Sequence, residues 1–154
     1  YGPAYELLDH EPYPGKEENN HSEKYQLKAW DLDKPGNIRA EIARMNAIRS
    51  KHEAFQRTFN TQFIPCSNSH IIAYLKQNFE KTDRFIVVVN MDWENQQGGK
   101  LDLTAKALDL GHTGTLRLVD HFADAPKEYL WDDKKPYLEL NPQKCNAHIF
   151  QIVD

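Results

Sequence analysis

The sequence is poor in the features that mark membrane, secreted and nucleic-acid-binding proteins. No apolar run approaches the roughly 20 residues that a membrane-spanning helix needs. The opening residues have neither the basic nor the apolar stretch of a secretory signal. Lys and Arg number 19 against 23 Asp and Glu, so no excess of positive charge is available for nucleic acid. We therefore expect a cytoplasmic protein that binds neither a membrane nor nucleic acid.

Cysteines and metal-ligand patterns are also scarce. Cys66 and Cys145 are the only cysteines and form no Cys-x-x-Cys pair. Two free thiols are expected, although the spacing leaves a single disulfide open. None of the 7 histidines belongs to a His-x-x-x-His pair, so we expect no metal site and no cofactor. Asp120-His121 with Asp124 comes nearest to a ligand set, but this pattern is typical of a turn.

The chain changes character near residue 60. Its 154 residues are enough for one average domain or for parts of two. Residues 1–34 are rich in Pro, Gly, Asp, Glu and Asn and have little periodicity, which predicts a long loop. Loops of this length in compact domains are usually functional or disordered. The aromatic residues Tyr13, Tyr25 and Trp30 favour an ordered loop.

A helix is predicted over residues 38–55. Apolar residues recur there at spacings of three, four or seven, on one stripe: Ile38, Ile42, Met45, Ile48 and Phe55. Asn37 follows Pro35-Gly36 and is placed to cap the first free N–H groups. His52 lies on the stripe and is expected to be either a core residue with satisfied hydrogen bonds or a residue that packs against a barrel.

Beyond the helix the hydrophobic period changes to two. Phe85–Val89 is a β-branched run that predicts a central strand. Shorter alternating segments follow the same pattern, at 71–76, 101–105, 116–120, 137–140 and 147–153. Residues 92–99, including Gly98-Gly99, are interpreted as a turn. Short strands joined by turns predict an antiparallel β-sandwich over residues 59–154.

Several motifs in the first third resemble the α-amylase superfamily. Tyr1–Leu7 resembles the end of the eighth strand of its (β/α)₈ barrel, and Arg44–Phe55 resembles the eighth barrel helix, with Glu53 where Pro is frequent. Between them, Ser22–Leu27 (Ser-Glu-Lys-Tyr-Gln-Leu) and Trp30–Asp33 (Trp-Asp-Leu-Asp) resemble one branch closely. That branch is the α-1,4-glucan:maltose-1-phosphate maltosyltransferases.

The resemblance implies a fold and a division into domains. Residues 1–58 would be the last strand, loop and helix of a catalytic (β/α)₈ barrel. Residues 59–154 would be an antiparallel all-β sandwich at the C-terminus. The helical stripe would then lack the barrel that it covers, and an exposed apolar stripe predicts self-association or a partner chain.

The resemblance also implies an activity. Enzymes of this family move a maltosyl unit from maltose 1-phosphate to the non-reducing end of an α-1,4-glucan, with retention of configuration and release of phosphate. In the family the Lys-Tyr pair of this loop contacts the donor, which assigns Lys24 and Tyr25 to substrate binding. The catalytic carboxylates of the family lie on earlier barrel strands, so none is expected in this chain, which would be inactive alone.

The chemistry of the two side chains agrees with that assignment. Lys24 can place a compact positive charge near a phosphate, and Tyr25 can donate an O–H. Donors aimed at a departing phosphate stabilise the transition state more than the ground state. The family further implies a bacterial cytoplasmic enzyme that is a homodimer at full length and uses no cofactor.

Alternatives remain open for the function and for single residues. The chain could be a non-catalytic β-sandwich module that binds carbohydrate or a protein, or the C-terminus of another superfamily enzyme such as a trehalose synthase. Trp30 could stack on a sugar or anchor its loop, and Asp31 with Asp33 could cap the following helix. Trp93 and Trp131, both interpreted as loop residues, could form a surface glucan site.

Overall fold

The computed structural model describes residues 2–19, 27–104, 109–110, 115–132 and 134–153. The chain forms two compact units, Tyr1–Asn46 and Ala47–Asp154. The helices are α1 (Pro3–Glu6), α2 (Arg39–Lys51) and a short 3₁₀ helix (Glu53–Phe55). The strands are β1 (Thr61–Ile64), β2 (Ile71–Gln77), β3 (Arg84–Asn90), β4 (Gln97–Lys100), β5 (Leu116–Asp120), β6 (Lys127–Trp131), β7 (Tyr137–Leu140) and β8 (Ala147–Val153).

The first unit opens with a helical turn, not with the strand end expected for residues 1–7. Pro3 occupies the first position of α1, where its missing N–H costs nothing. The Leu7 N–H donates to the Pro3 carbonyl at 2.8 Å. Within the described residues this segment pairs with no strand, although the Glu6 carbonyl accepts the Ile38 N–H at 2.9 Å. The expectation of a strand here is wrong.

Helix α2 is shorter than the sequence predicts. The Asn37 side-chain carbonyl accepts the Arg39 N–H at 3.1 Å, which confirms the expected cap. The helix stops because His52 turns extended, at φ −115° and ψ 120°, and a 3₁₀ turn follows. The apolar stripe is buried at Ile48 and exposed at Met45.

The second unit consists mainly of antiparallel sheet, as predicted. Six strands pair in the order β1-β2-β3-β8-β5-β6, and β4 pairs with β7 in a second, two-stranded sheet. Leu138 and Leu140 of β7 share one core with Ile86 and Val88 of β3 and Phe150 of β8. The two sheets therefore bury a common apolar layer between them.

Strand β3 confirms the prediction of a central strand. It pairs with β2 on one side and β8 on the other. Ile86 and Val88 point into the core between the sheets, whereas Phe85 and Val87 belong to a second cluster with Ile48. Because both faces are buried, the strand is a continuous apolar run instead of an alternating one.

Three strands were not predicted, namely β1, β4 and β6. Gly98 and Gly99, interpreted as a turn, lie within β4. A Cβ on Gly99 would come within 2.8 Å of Cys66 Sγ, so the glycine permits a close approach of two segments. Trp131 lies in β6 and packs edge-on against Phe150 at 5.2 Å between ring centroids, which corrects its placement in a loop.

Substitution of Gly99 by alanine is expected to destabilise the protein by about 1–3 kcal/mol, because the buried site has no room for a methyl group. The urea midpoint of unfolding measures this loss. Gly98→Ala is the control, since its Cβ would meet mainly the end of the exposed Tyr137 side chain, at 2.3 Å from Oη, which can move outward. Equal midpoints for the two variants would contradict the prediction.

Candidate functional site

Lys24 and Tyr25, the two predicted substrate-binding residues, lie outside the described residues. The chain on the N-terminal side of them forms a small hairpin, in which the Tyr13 N–H donates to the Glu18 carbonyl at 2.7 Å. Lys16 Nζ lies over the Tyr13 ring, 4.9 Å from its centroid. On the C-terminal side, the first residue that the structure describes is Leu27, whose side chain is fully exposed.

A pocket of about 330 Å³ lies in the first unit, and its lining includes Lys28, the residue after Leu27. Its lining combines acidic, basic and apolar side chains: Leu7, Asp9, Lys28, Ala29, Trp30, Asp31 and Lys34. Lys28 Nζ donates to Asp9 Oδ2 at 2.9 Å and lies 4.8 Å from the centroid of the Trp30 ring. Trp30 is thus held by a cation–π contact.

The Trp-Asp-Leu-Asp motif forms a turn beside the pocket. The Asp33 N–H donates to Asp31 Oδ1 at 3.1 Å, and the Lys34 N–H donates to the Asp31 carbonyl at 3.2 Å. Asp31 therefore stabilises its own turn, an Asx-type arrangement, while the side-chain cap of α2 comes from Asn37. Asp31 was expected to cap the helix, but its side chain accepts a hydrogen bond within the turn that precedes the helix.

The second unit contains a buried ion pair between Asp120 and His148, although the sequence around Asp120 predicts an exposed turn. Asp120 is fully buried at the end of β5, and its Oδ2 accepts from His148 Nδ1 at 2.7 Å. Its Oδ1 accepts the N–H groups of Phe122 and Ile149, at 2.9 and 3.2 Å. Every polar atom of this carboxylate is therefore paired, as a buried charge requires.

The pKa values of this pair move in opposite directions. Burial raises the pKa of Asp120, but the hydrogen bonds from His148 and from the Phe122 N–H outweigh it and hold the pKa below its usual range. Burial lowers the pKa of His148, but its bonds to Asp120 and Cys145 raise it to about 9. Cys145 Sγ lies 3.7 Å from the same His148 nitrogen that meets Asp120, so the three do not form a nucleophile–base–acid relay. The cluster is structural.

His52, expected to be a satisfied core residue, is buried and only half satisfied. Its Nδ1 lies 3.0 Å from Asp83 Oδ1, and Asp83 Oδ2 accepts the Ala54 N–H at 3.1 Å. Its Nε2 is buried without a hydrogen-bond partner among the described residues. The His121 ring lies 5.2 Å away, edge to face, and burial lowers the pKa of His121.

In the described ranges, no group of three or more His, Cys, Asp or Glu side chains is placed to hold a metal ion. The helices found in the same ranges are too short or too polar for any to cross a lipid bilayer.

Comparison with known proteins places the chain in a family. A family model described as "GLGE, C-terminal" matches residues 63–152. A protein of Chlorobaculum tepidum named alpha-1,4-glucan:maltose-1-phosphate maltosyltransferase is 40% identical over 99% of this chain and 23% of its own length. Proteins of the same name from Methylacidiphilum infernorum and Cereibacter sphaeroides are 40% and 34% identical, over 99% and 91% of this chain.

The chain spans about a fifth of the length of these curated relatives, with 22% and 21% covered in the second and third. The matched family segment covers more than half of the chain and runs from β1 into β8. It therefore includes both sheets and the apolar layer that they bury. On this evidence the chain belongs to the GLGE C-terminal family.

Proposed function

We propose that this chain is the C-terminal part of an α-1,4-glucan:maltose-1-phosphate maltosyltransferase. The whole enzyme moves maltosyl units from maltose 1-phosphate to the non-reducing end of an α-1,4-glucan and releases phosphate. The observation that carries the proposal is the 40% identity over 99% of the chain to a protein of that name. Residues 1–58 complete the catalytic (β/α)₈ barrel in this proposal, and residues 59–154 form the C-terminal β-sandwich.

Lys24 and Tyr25 contact the donor in this proposal. They belong in this proposal to a loop on the active-site face of the (β/α)₈ barrel, which is built from the loops that follow the barrel strands. A pocket lined by Lys28 and Trp30, which follow the motif in the chain, supports a binding role, because it combines an aromatic ring with a positive charge. Lys24 neutralises charge on the phosphate as the glycosidic bond breaks, and Tyr25 donates a hydrogen bond.

The catalytic groups belong to other parts of the full-length protein. Retention requires two carboxyl groups about 5–5.5 Å apart, one acting as nucleophile and the other as acid and base. The chain itself supplies substrate contacts, with maltose 1-phosphate and an α-1,4-glucan as its ligands. The enzyme acts as a homodimer in the bacterial cytoplasm in this proposal, without a cofactor.

The test is phosphate release by the full-length protein. We expect incubation with maltose 1-phosphate and glycogen to release phosphate in step with lengthening of the glucan, and we expect the new linkages to keep the α configuration. Colorimetric phosphate assay and chain-length analysis measure the two. Glucose 1-phosphate in place of the donor is the control and should release little phosphate.

Two other results would contradict the proposal. Phosphate release at the same rate with and without glucan would indicate a hydrolase. Conversion of maltose to trehalose, without any use of maltose 1-phosphate, would indicate a trehalose synthase.

A further inference from the structure

The outer face of the two-stranded sheet β4–β7 carries polar and aromatic side chains. Leu138 and Leu140 of β7 point into the core, so Tyr137 and Glu139 point away from it. Tyr137 has a relative exposure of 57%. The register places Glu139 opposite Gly98 of β4. This face is therefore open on the side away from the core.

Four side chains form one hydrogen-bonded row along this face. Asn141 Nδ2 donates to Gln96 Oε1 at 3.0 Å, and Gln96 Nε2 donates to Glu139 Oε2 at 3.1 Å. The Tyr137 hydroxyl donates to the other oxygen, Glu139 Oε1, at 3.1 Å. Each amide keeps one further N–H, and each carboxylate oxygen keeps a lone pair. The row is therefore ordered and still able to bind a ligand.

Gly98 keeps the Tyr137 ring close to the strand. A Cβ at Gly98 would lie 2.3 Å from the Tyr137 hydroxyl oxygen and 3.0 Å from the ring carbon that bears it. The ring therefore crosses the space that any other residue at position 98 would fill. Since the residue is more than half exposed, one side of the ring is open to solvent.

The loop that leads into β4 presents Trp93 to solvent, with a relative exposure of 77%. This loop is held by hydrogen bonds. Asp92 Oδ1 accepts the N–H groups of Glu94 and Asn95, both at 3.0 Å. Buried Asn90 donates to the Asn95 carbonyl at 3.0 Å and accepts the Asp92 N–H at 2.8 Å. The Trp93 backbone is thus fixed in advance, which lowers the entropic cost of binding.

The combination suits a neutral sugar chain. Aromatic rings offer apolar faces on which the C–H faces of glucose stack, while amide and carboxylate groups bind its hydroxyls. Glu139 shares this face with Lys100, which the register places opposite Tyr137, and the Asp92 and Glu94 carboxylates flank Trp93. Three acidic groups against this one lysine do not favour an anionic ligand.

We propose that Trp93, Tyr137 and the row Gln96–Glu139–Asn141 form a binding surface for an α-1,4-glucan chain. This inference rests on the proposed function for the identity of the glucan, which is the acceptor of the reaction. The surface holds long glucan chains on the enzyme and contributes nothing to short acceptors that cannot reach it.

The test is affinity electrophoresis of the full-length protein in native gels that contain glycogen. We expect Trp93→Ala to weaken glycogen binding roughly five- to tenfold, as truncation of an exposed aromatic contact does in other interfaces. Gly98→Ala is the second variant, because its methyl group displaces the Tyr137 ring without touching the core. Phe79→Ala is the matched control, since Phe79 is 89% exposed and lies outside this surface.

A kinetic measurement separates this surface from the proposed transfer reaction. We expect Trp93→Ala to raise the KM for glycogen by a similar factor and to leave the KM values for maltose 1-phosphate and for a short malto-oligosaccharide unchanged. Unchanged retardation in the gels for both variants would overturn the inference, as would an equal loss in the Phe79→Ala control. Absence of transfer by the unmodified protein would overturn the proposed function alone, because the gels require no catalysis.

Discussion

Replacement of Lys24 by alanine in the full-length protein is expected to lower kcat/KM for maltose 1-phosphate by about 100-fold. A preorganised donor aimed at developing negative charge contributes on that order to catalysis. Phosphate gains charge as the bond to the anomeric carbon breaks, so the lost ammonium costs more in the transition state than in the ground state. Steady-state phosphate release measures the effect. Binding of neutral maltose should change much less.

Lys16→Ala is the matched control for this experiment. Lys16 is an exposed lysine of the same loop, and its ammonium lies over the Tyr13 ring. Its removal changes the net charge by the same amount and should leave the kinetics near those of the unmodified protein. Equal losses of affinity for maltose and for maltose 1-phosphate in Lys24→Ala would remove the phosphate role. Tyr25→Phe, which deletes only the hydroxyl, should have a smaller effect in the same direction.

Replacement of Asp120 by alanine is expected to destabilise the protein by about 3–5 kcal/mol, as loss of one partner from a buried ion pair does. The variant leaves the His148 imidazole and the N–H groups of Phe122 and Ile149 without their acceptor. Urea unfolding followed by circular dichroism measures the loss. Glu128→Ala is the control, because Glu128 pairs with Arg117 at the surface, where such a pair contributes about 0–1 kcal/mol. A similar small change in both variants would contradict the prediction.

The same pair makes stability depend on pH with a definite sign. The pKa of His148 is raised from 6.5 to about 9, so its contribution is complete below 6.5 and is lost as the pH rises through about 9. The pKa of Asp120 is lowered from 3.8, so its contribution is present above 3.8 and is lost as the pH falls further. Between pH 6 and 9.5 the Tm of the unmodified protein should therefore fall more than that of Asp120→Ala. Parallel pH profiles would contradict the ion pair.

Sequence patterns predicted the elements whose signal is local. Asn37 and the apolar spacing after it indicated α2, and the β-branched run at Phe85–Val89 indicated β3. A cap and a helical period act within a few residues, and a strand buried on both faces must be apolar throughout. Strands β4 and β6 were not predicted from the sequence. Their residues, such as Gly98 and Trp131, fit a strand only because of the side chains that pack against them.

The candidate site residues also differ in whether the sequence alone could identify them. Lys24 and Tyr25 were named from a contiguous motif, which a single stretch of sequence carries in full. The Asp120–His148 pair joins residues far apart in the chain, and it exists because β5 pairs with β8 in a register that sets Asp120 opposite Phe150. A contact of this kind cannot be predicted from a local sequence pattern.

The amino-acid sequence alone determined the family, the helix with its cap and the buried central strand, and it supplied the motif on which the proposed phosphosugar contact rests. Those features depend on residue type and short spacing, which propensity and hydrophobic period express directly. The tertiary structure decided which polar residues meet: His148 with Asp120, and Gln96, just before β4, with Glu139 of β7. Strand pairing brings together residues that chain order separates, and its register is set by the burial of a whole face of the sheet.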